Sequence, residues 1–157
     1  MAAREHRYRV RLDWSGPAGD AAGFRRHDRG YVLTAEGKPA IHGSSDAGFR
    51  GDGAKWNPED LLVASLSSCH QLWYMGLCAA NGVVVLRYED HAEGVMEEES
   101  AGGGGQFTAV TLRPRVTLAA GADAAKATAL HQRAHELCFI ARSVNFPVTV
   151  APEIVAE

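Results

Sequence analysis

Residues 57–73 read NPEDLLVASLSSCHQLW, and the reading of this stretch decides the fold. Asn57 is a helix N-cap residue, Pro58 suits the first helical position, and Glu59 and Asp60 bring negative charge to the first turn, where the helix dipole favours it. Leu62, Leu66, Cys69, Trp73 and Gly76 recur every three to four residues, which predicts one shared apolar face. Val63, Leu72 and Leu77 widen that face. So apolar a helix belongs in a core or at a subunit interface. Asn81-Gly82 is its stop signal. Cys69 then raises a question: it is either a small hydrophobe packed in the stripe, as free cysteines usually are, or a thiol kept for chemistry.

On either side of this helix the period changes to two. HRYRVRLDW (6–14) alternates, with Tyr8, Val10, Leu12 and Trp14 on one side and Arg7, Arg9, Arg11 and Asp13 on the other, which predicts a half-buried strand. GYVLTAEG and KPAIHGSS read as short strands joined by a turn, followed by the Gly- and Asp-rich loop DAGFRGDGAKW. Past the helix come VVVLRYEDHAEGVMEE and QFTAVTLRPRVTLAA, joined through the hairpin loop EEESAGGGGQ. A second helix in ADAAKATALHQRAHELCFIARS and a closing strand in NFPVTVAPEIV end the chain. Strand runs segregated from helices predict an α+β fold with antiparallel pairing, not a doubly wound parallel sheet. No internal repeat or linker divides residues 1–157, so a single domain is expected.

Composition narrows the function. Hydrophobic residues make up 46% and charged residues 22%, with a net charge of −3, values of a soluble globular protein with no basic nucleic-acid surface. MAAREHRYRV lacks the apolar core of a secretory signal, and no apolar run approaches the ~20 residues of a membrane span. Three cysteines, an odd number, do not form a disulfide scaffold, so a cytoplasmic protein with free or reactive thiols is expected. Cys78 reads as packing. His131, His135 and Cys138, spaced i, i+4, i+7, share one helical face and could ligate zinc or another thiophilic metal. No paired C-x-x-C accompanies them, and both histidines read more simply as solvated helix residues.

NPEDLLVASLSSC resembles the signature of the OsmC/Ohr family, the osmotically inducible and organic-hydroperoxide-resistance proteins. There an Asn-Pro-Glu opens a central helix and a reactive cysteine follows ten residues after the glutamate, as Cys69 follows Glu59. A second cysteine near the end of the later helix corresponds to Cys138 in HELCFIARSVNFPV, and the order of elements matches over nearly the whole chain. SSCHQLWY, with His70 and Trp73, is similar to a branch distinct from the best-known hydroperoxide reductases.

The resemblance implies an OsmC-like α+β fold in which antiparallel sheets pack around a long central apolar helix in an intertwined homodimer. It also implies a thiol peroxidase without cofactor or metal. Cys69 attacks an organic hydroperoxide and becomes a sulfenic acid, Cys138 resolves it as a disulfide, and a dithiol reductant of the lipoyl type restores both. A thiol in apolar surroundings resists ionisation, and the resemblance supplies an arginine against the cysteine, held by Glu59. Arg50 in GFRGDG is the first choice, with Arg25, Arg26 and Arg29 as alternatives. Ten residues of helix span about 15 Å and turn the side chains roughly 80° apart. Glu59 therefore reaches Cys69 only through a bridging arginine, or acts on the cysteine of a second subunit. Apolar neighbours such as Leu66, Trp73 and Phe139 suit an alkyl tail better than hydrogen peroxide. Two rival readings keep the fold without peroxidase turnover: a small-molecule or metal-binding protein, and a peroxide-responsive redox sensor.

Overall fold

A computed structural model describes residues 4–15, 29–99 and 104–156. The chain divides into two compact units, with the break between Leu61 and Leu62. In the first, β1 (Arg11–Asp13), β2 (Tyr31–Thr34) and β3 (Ile41–Gly43) form an antiparallel sheet in sequence order, with Leu12 opposite Leu33 and Leu33 opposite Ile41. The strand expected over 6–14 thus pairs only at Arg11–Asp13, because β2 offers four residues of ladder. Its apolar side is not half-buried: Tyr8 is 87% exposed and Val10 67% exposed, and Leu12 and Trp14 are also exposed. The loop ahead of the long helix is tightly hydrogen-bonded. Asp46 accepts from the amide of Gly48 at 2.7 Å, its carbonyl accepts from Phe49 and Gly51, and Asn57 Nδ2 donates to its other carboxylate oxygen.

Helix α1 runs Pro58–Ala80 and starts as its sequence dictates: Asn57 Oδ1 accepts from the amide of Asp60 at 2.7 Å. It stops as expected too. Gly82 adopts φ 69, where a side chain would be strained, and Val83 N donates to Cys78 O while Gly82 N donates to Ala79 O. That is the paired closure of a helix ending in a left-handed glycine.

The second unit holds β4 (Val85–Asp90), β5 (Glu93–Glu98), β6 (Gly105–Leu112), β7 (Pro114–Leu118), α2 (Ala124–Leu137), β8 (Val148–Val150) and β9 (Glu153–Ala156). Each long strand run of the sequence breaks once and feeds two sheets, of order β4-β7-β9 and β5-β6-β8. The breaks fall at His91–Ala92, Arg113 and Ala151–Pro152. Asp90 ties the first two together by accepting from the amide of Arg113 at 2.7 Å, and Pro152 has no N–H with which to continue a ladder. The hairpin pairings β4–β7 and β5–β6 are antiparallel as expected. The closing strands differ: β8 pairs parallel to β6 and β9 parallel to β7, so both sheets are mixed. A chain returning from a helix, not from a tight turn, can enter in parallel. The tip of the β5–β6 hairpin, residues 100–103, lies outside the described residues.

Two clusters of buried side chains form the core of this unit. One gathers Tyr74, Cys78, Val116, Leu118, Ala127 and Ala134; the other gathers Leu66, Val110 and Leu112. Burying each large apolar side chain contributes roughly 1.5–3 kcal/mol. The buried positions of α1 are Leu66, His70, Tyr74 and Cys78, four residues apart. The stripe expected through Leu62, Leu66, Cys69, Trp73 and Gly76 is therefore displaced around the helix: of those five only Leu66 is fully buried, and Cys69 and Trp73 lie at its half-open margin. Among the described residues, no helix is long and apolar enough to cross a membrane.

Candidate active site

The displaced stripe changes the standing of Cys69. Half-buried on α1, it is not sealed in the core, whereas Cys78 and Cys138 are buried; all three are free thiols. Helix α2 ends at Leu137, and Cys138 caps it in an extended conformation, its amide donating to His135 O at 3.3 Å. Past that cap the Cys138 thiol lies close enough to Cys69 on α1 to be raised by it. The amide of Ala141 donates to the Cys138 sulfur at 3.4 Å from the other side. Burial, then the contact with Cys69, pushes the Cys138 thiol up to about 11, with the amides of Ala141 and Ile140 opposing. Cys138 is thus a protonated thiol at neutral pH. Cys78, next to Tyr74, is also raised by burial and belongs to the core, as expected.

Beside the Cys69 thiol lies an open apolar cleft of about 250 Å³ lined by Cys69, Leu72, Trp73 and Phe139. Trp73 and Phe139 meet edge to face, centroids 5.5 Å apart, an arrangement that stabilises aromatic pairs. Leu66, expected here, packs instead against Val110 and Leu112. Its place is taken by Leu72, one helical turn on from Cys69 and 70% exposed.

Inward from Cys69 the helix carries polar rings. His70 Nε2 lies 3.0 Å from His131 Nδ1 on α2, and Tyr74 stacks on His131 with centroids 3.7 Å apart and planes 11° apart. Burial holds His70 down to about 4, with His135 adding to the shift and Asp90 opposing it. Burial and then His70 hold His131 down to about 3. Both rings are neutral at physiological pH. His131 is only 2% exposed and is not the solvated residue its sequence position suggested. Its Nδ1 faces His70, and Cys138 lies past the last helical residue in an extended conformation, so the alternative metal face at i, i+4, i+7 is not formed. Among the described residues, no group of three His, Cys, Asp or Glu side chains is disposed to hold a metal.

The remaining predicted residues lie in the first unit. Glu59, in the first turn of α1, buries Oε2 without a hydrogen-bond partner among the described residues. Its charge adds to the effect of burial in raising the Tyr31 hydroxyl. Arg50 is exposed and adopts φ 65, a left-handed conformation uncommon outside glycine. Arg29 is half-buried; Arg25 and Arg26 lie outside the described residues. Sequence reasoning missed the His70–Tyr74–His131 cluster. The four-residue spacing of Leu66, His70, Tyr74 and Cys78 was visible, but a hydropathy count assigns histidine and tyrosine to the solvent side.

Comparison with known proteins bears on this arrangement. Residues 51–153 match the family model described as OsmC-like protein. No curated protein matches the chain. Among solved structures, an OsmC-like protein of unknown function from Vibrio cholerae superposes with a TM-score of 0.85 at 27% identity, covering 94% of this chain and 99% of that one. An organic hydroperoxide resistance protein OsmC from Legionella pneumophila gives 0.66 at 18% identity over 96% and 99%. The organic hydroperoxide resistance protein OhrB of Bacillus subtilis gives 0.60 at 18% over 94% and 98%. At that identity the last two share the fold, and their activity does not transfer with it. With its family model matched over 51–153 and its α+β fold shared from end to end, the chain belongs to the OsmC-like protein family.

Proposed function

We propose that the protein is a thiol-dependent peroxidase that reduces organic hydroperoxides, built as a single OsmC-like domain. One observation carries this reading: the half-open thiol of Cys69 lines an apolar cleft together with Phe139, the neighbour of the buried Cys138, and lies close enough to Cys138 to raise its thiol. The Cys69 thiolate attacks the outer peroxide oxygen, the O–O bond breaks, and the alkoxide leaves as an alcohol after taking a proton. Cys69 is now a sulfenic acid. The Cys138 sulfur attacks it, an S–S bond forms, and the departing hydroxide takes the Cys138 proton and leaves as water. A dithiol of the lipoyl type reduces the disulfide and becomes a disulfide itself. The raised Cys138 thiol is protonated while Cys69 reacts, and it gives up that proton as it attacks the sulfenic acid.

Glu59 and an arginine, Arg50 first, keep the Cys69 sulfur anionic in its apolar setting. The unpartnered buried oxygen of Glu59 supports a missing cation, because such a group is costly alone. The exposed apolar side of the N-terminal segment, where Tyr8, Val10, Leu12 and Trp14 fall on one side of one strand period, supports a homodimer. The cleft side chains Leu72, Trp73 and Phe139 favour an alkyl or aryl hydroperoxide over hydrogen peroxide.

The test is steady-state consumption of cumene hydroperoxide, tert-butyl hydroperoxide and hydrogen peroxide with dihydrolipoamide as reductant. Cumene hydroperoxide is expected to be turned over at least about tenfold faster than hydrogen peroxide. No consumption of any of the three contradicts the reading.

A further inference from the structure

Helices α1 and α2 meet through two kinds of contact. Apolar contacts around Ala127, Ala134 and Leu130 allow close approach, but burial of apolar surface has no direction and sets no register. The His70–His131 contact is directional. The nitrogens are 3.0 Å apart, the ring centroids 5.3 Å apart, and the planes differ by 6°. Such spacing leaves the two rings coplanar and end to end, so the N–H of one points along the lone pair of the other. It is a single linear hydrogen bond, made when the two rings hold the same tautomer: with both protons on Nε2 His70 donates, and with both on Nδ1 His131 donates. A bridging metal would need both lone pairs to converge on a third point, and here they face one another.

Tyr74 lies flat on His131 and restrains its rotation. Both histidines are buried, so no bulk water replaces the bond when it is stretched, and a buried ring nitrogen left unpaired costs on the order of 1–3 kcal/mol. Sliding α2 by one residue shifts it about 1.5 Å, enough to break the bond. Cys69 precedes His70, and Cys138 ends the helix that carries His131. The same slide carries one thiol away from the other, and a disulfide tolerates little misplacement.

We propose that His70 and His131 are positioning residues for disulfide formation: their buried bond fixes α2 on α1 and so sets the place of Cys138, at the end of α2, relative to Cys69. The inference rests on reading Cys69 and Cys138 as the redox pair, and it is tested without peroxide as well as with it.

Two variants are compared with the unaltered chain. His131→Phe keeps a ring under Tyr74 but has no nitrogen. His70→Gln/His131→Asn restores an amide hydrogen bond between the same two positions. Each is equilibrated with reduced and oxidised dithiothreitol, and the Cys69–Cys138 disulfide is quantified by peptide mass mapping. His131→Phe is expected to lower the effective concentration of the two thiols at least about tenfold, with the double variant within about threefold of the unaltered chain. In a single turnover with cumene hydroperoxide, all three form the Cys69 sulfenic acid at the same rate, and only His131→Phe closes the disulfide slowly.

A merely stabilising role would lower the unfolding temperature of His131→Phe and leave the thiol equilibrium unmoved, and that result overturns the proposal. So does a folded double variant as impaired as His131→Phe. If His131→Phe does not fold, the double variant decides alone: near-unaltered closure supports the bond, slowed closure overturns it. If the unaltered chain forms the disulfide in dithiothreitol but does not react with peroxide, the peroxidase reading fails while the register proposal stands on the equilibrium.

Discussion

Around residue 70, helix α1 turns two contrasting sides to its surroundings within the second unit. Toward the core it presents His70 and Tyr74, both fully buried, while at the opposite margin it leaves Leu72 70% exposed and Cys69 half-open. A helix shaped only by burial would do the reverse. The inner side loses water around two neutral imidazoles and recovers part of that cost through one linear hydrogen bond and a stacked tyrosine. The outer side keeps apolar surface in water next to a thiol. The difference teaches that order and openness sit on separate faces of one helix: a buried polar seam on one side and, on the other, an exposed apolar ledge beside a thiol, which the proposed function gives to a substrate.

The sharpest way to break this contrast is to remove the ledge thiol. Cys69→Ser is expected to lower cumene hydroperoxide consumption by at least about a thousandfold in a peroxide assay, with an unfolding temperature close to that of the unaltered chain. On the seam the effect falls on stability instead. Tyr74→Ala empties a packed site, and its expected cost is about 3–5 kcal/mol in denaturant titration, by analogy with other large aromatic truncations.

Next in size is an acid response. His70 and His131 are held at about 4 and about 3 in the folded chain, against 6.5 for the free side chain. As pH falls below 6.5 the unfolded chain therefore binds protons before the folded one does. The stability contributed by the neutral pair is complete above pH 6.5 and drains away as pH drops toward 4 and then 3, by at most on the order of 3 kcal/mol for His70. Denaturant titrations at pH 7.5 and 4.5 measure it. Replacing both histidines by phenylalanine is expected to flatten the profile; an unchanged profile contradicts the buried neutral pair. The smallest effect belongs to Leu72→Ala, which is expected to move stability by no more than about 0.5 kcal/mol, as exposed substitutions do. It is expected to raise KM for cumene hydroperoxide about three- to tenfold and to leave hydrogen peroxide kinetics alone.

Local chemistry made much of this legible in the sequence. Asn57 capping, Pro58, and the stop at Asn81-Gly82 are decided within a few residues, and the structure has them as read. The α+β class followed from the change of period on either side of α1. The parallel entry of β8 and β9 did not, since partner and direction are settled between segments far apart in the chain. The phase of the α1 stripe was displaced because two polar rings pair across to α2, a compensation invisible from one helix. Cys69 itself was ambiguous by composition. A pairing with Cys138 was suggested only by the family resemblance, because Cys138 is the cap residue past the last helical position and lies outside the helical period.

The central claim is that Cys69 and Cys138 form a working pair while Cys78 does not. Adding one equivalent of cumene hydroperoxide to the reduced protein and mapping its peptides by mass spectrometry tests this directly. The account predicts a loss of two hydrogens per chain, a single Cys69–Cys138 linked peptide, and Cys78 recovered as a free thiol. A Cys69 that stays reduced, or one that oxidises and never links to Cys138, contradicts it.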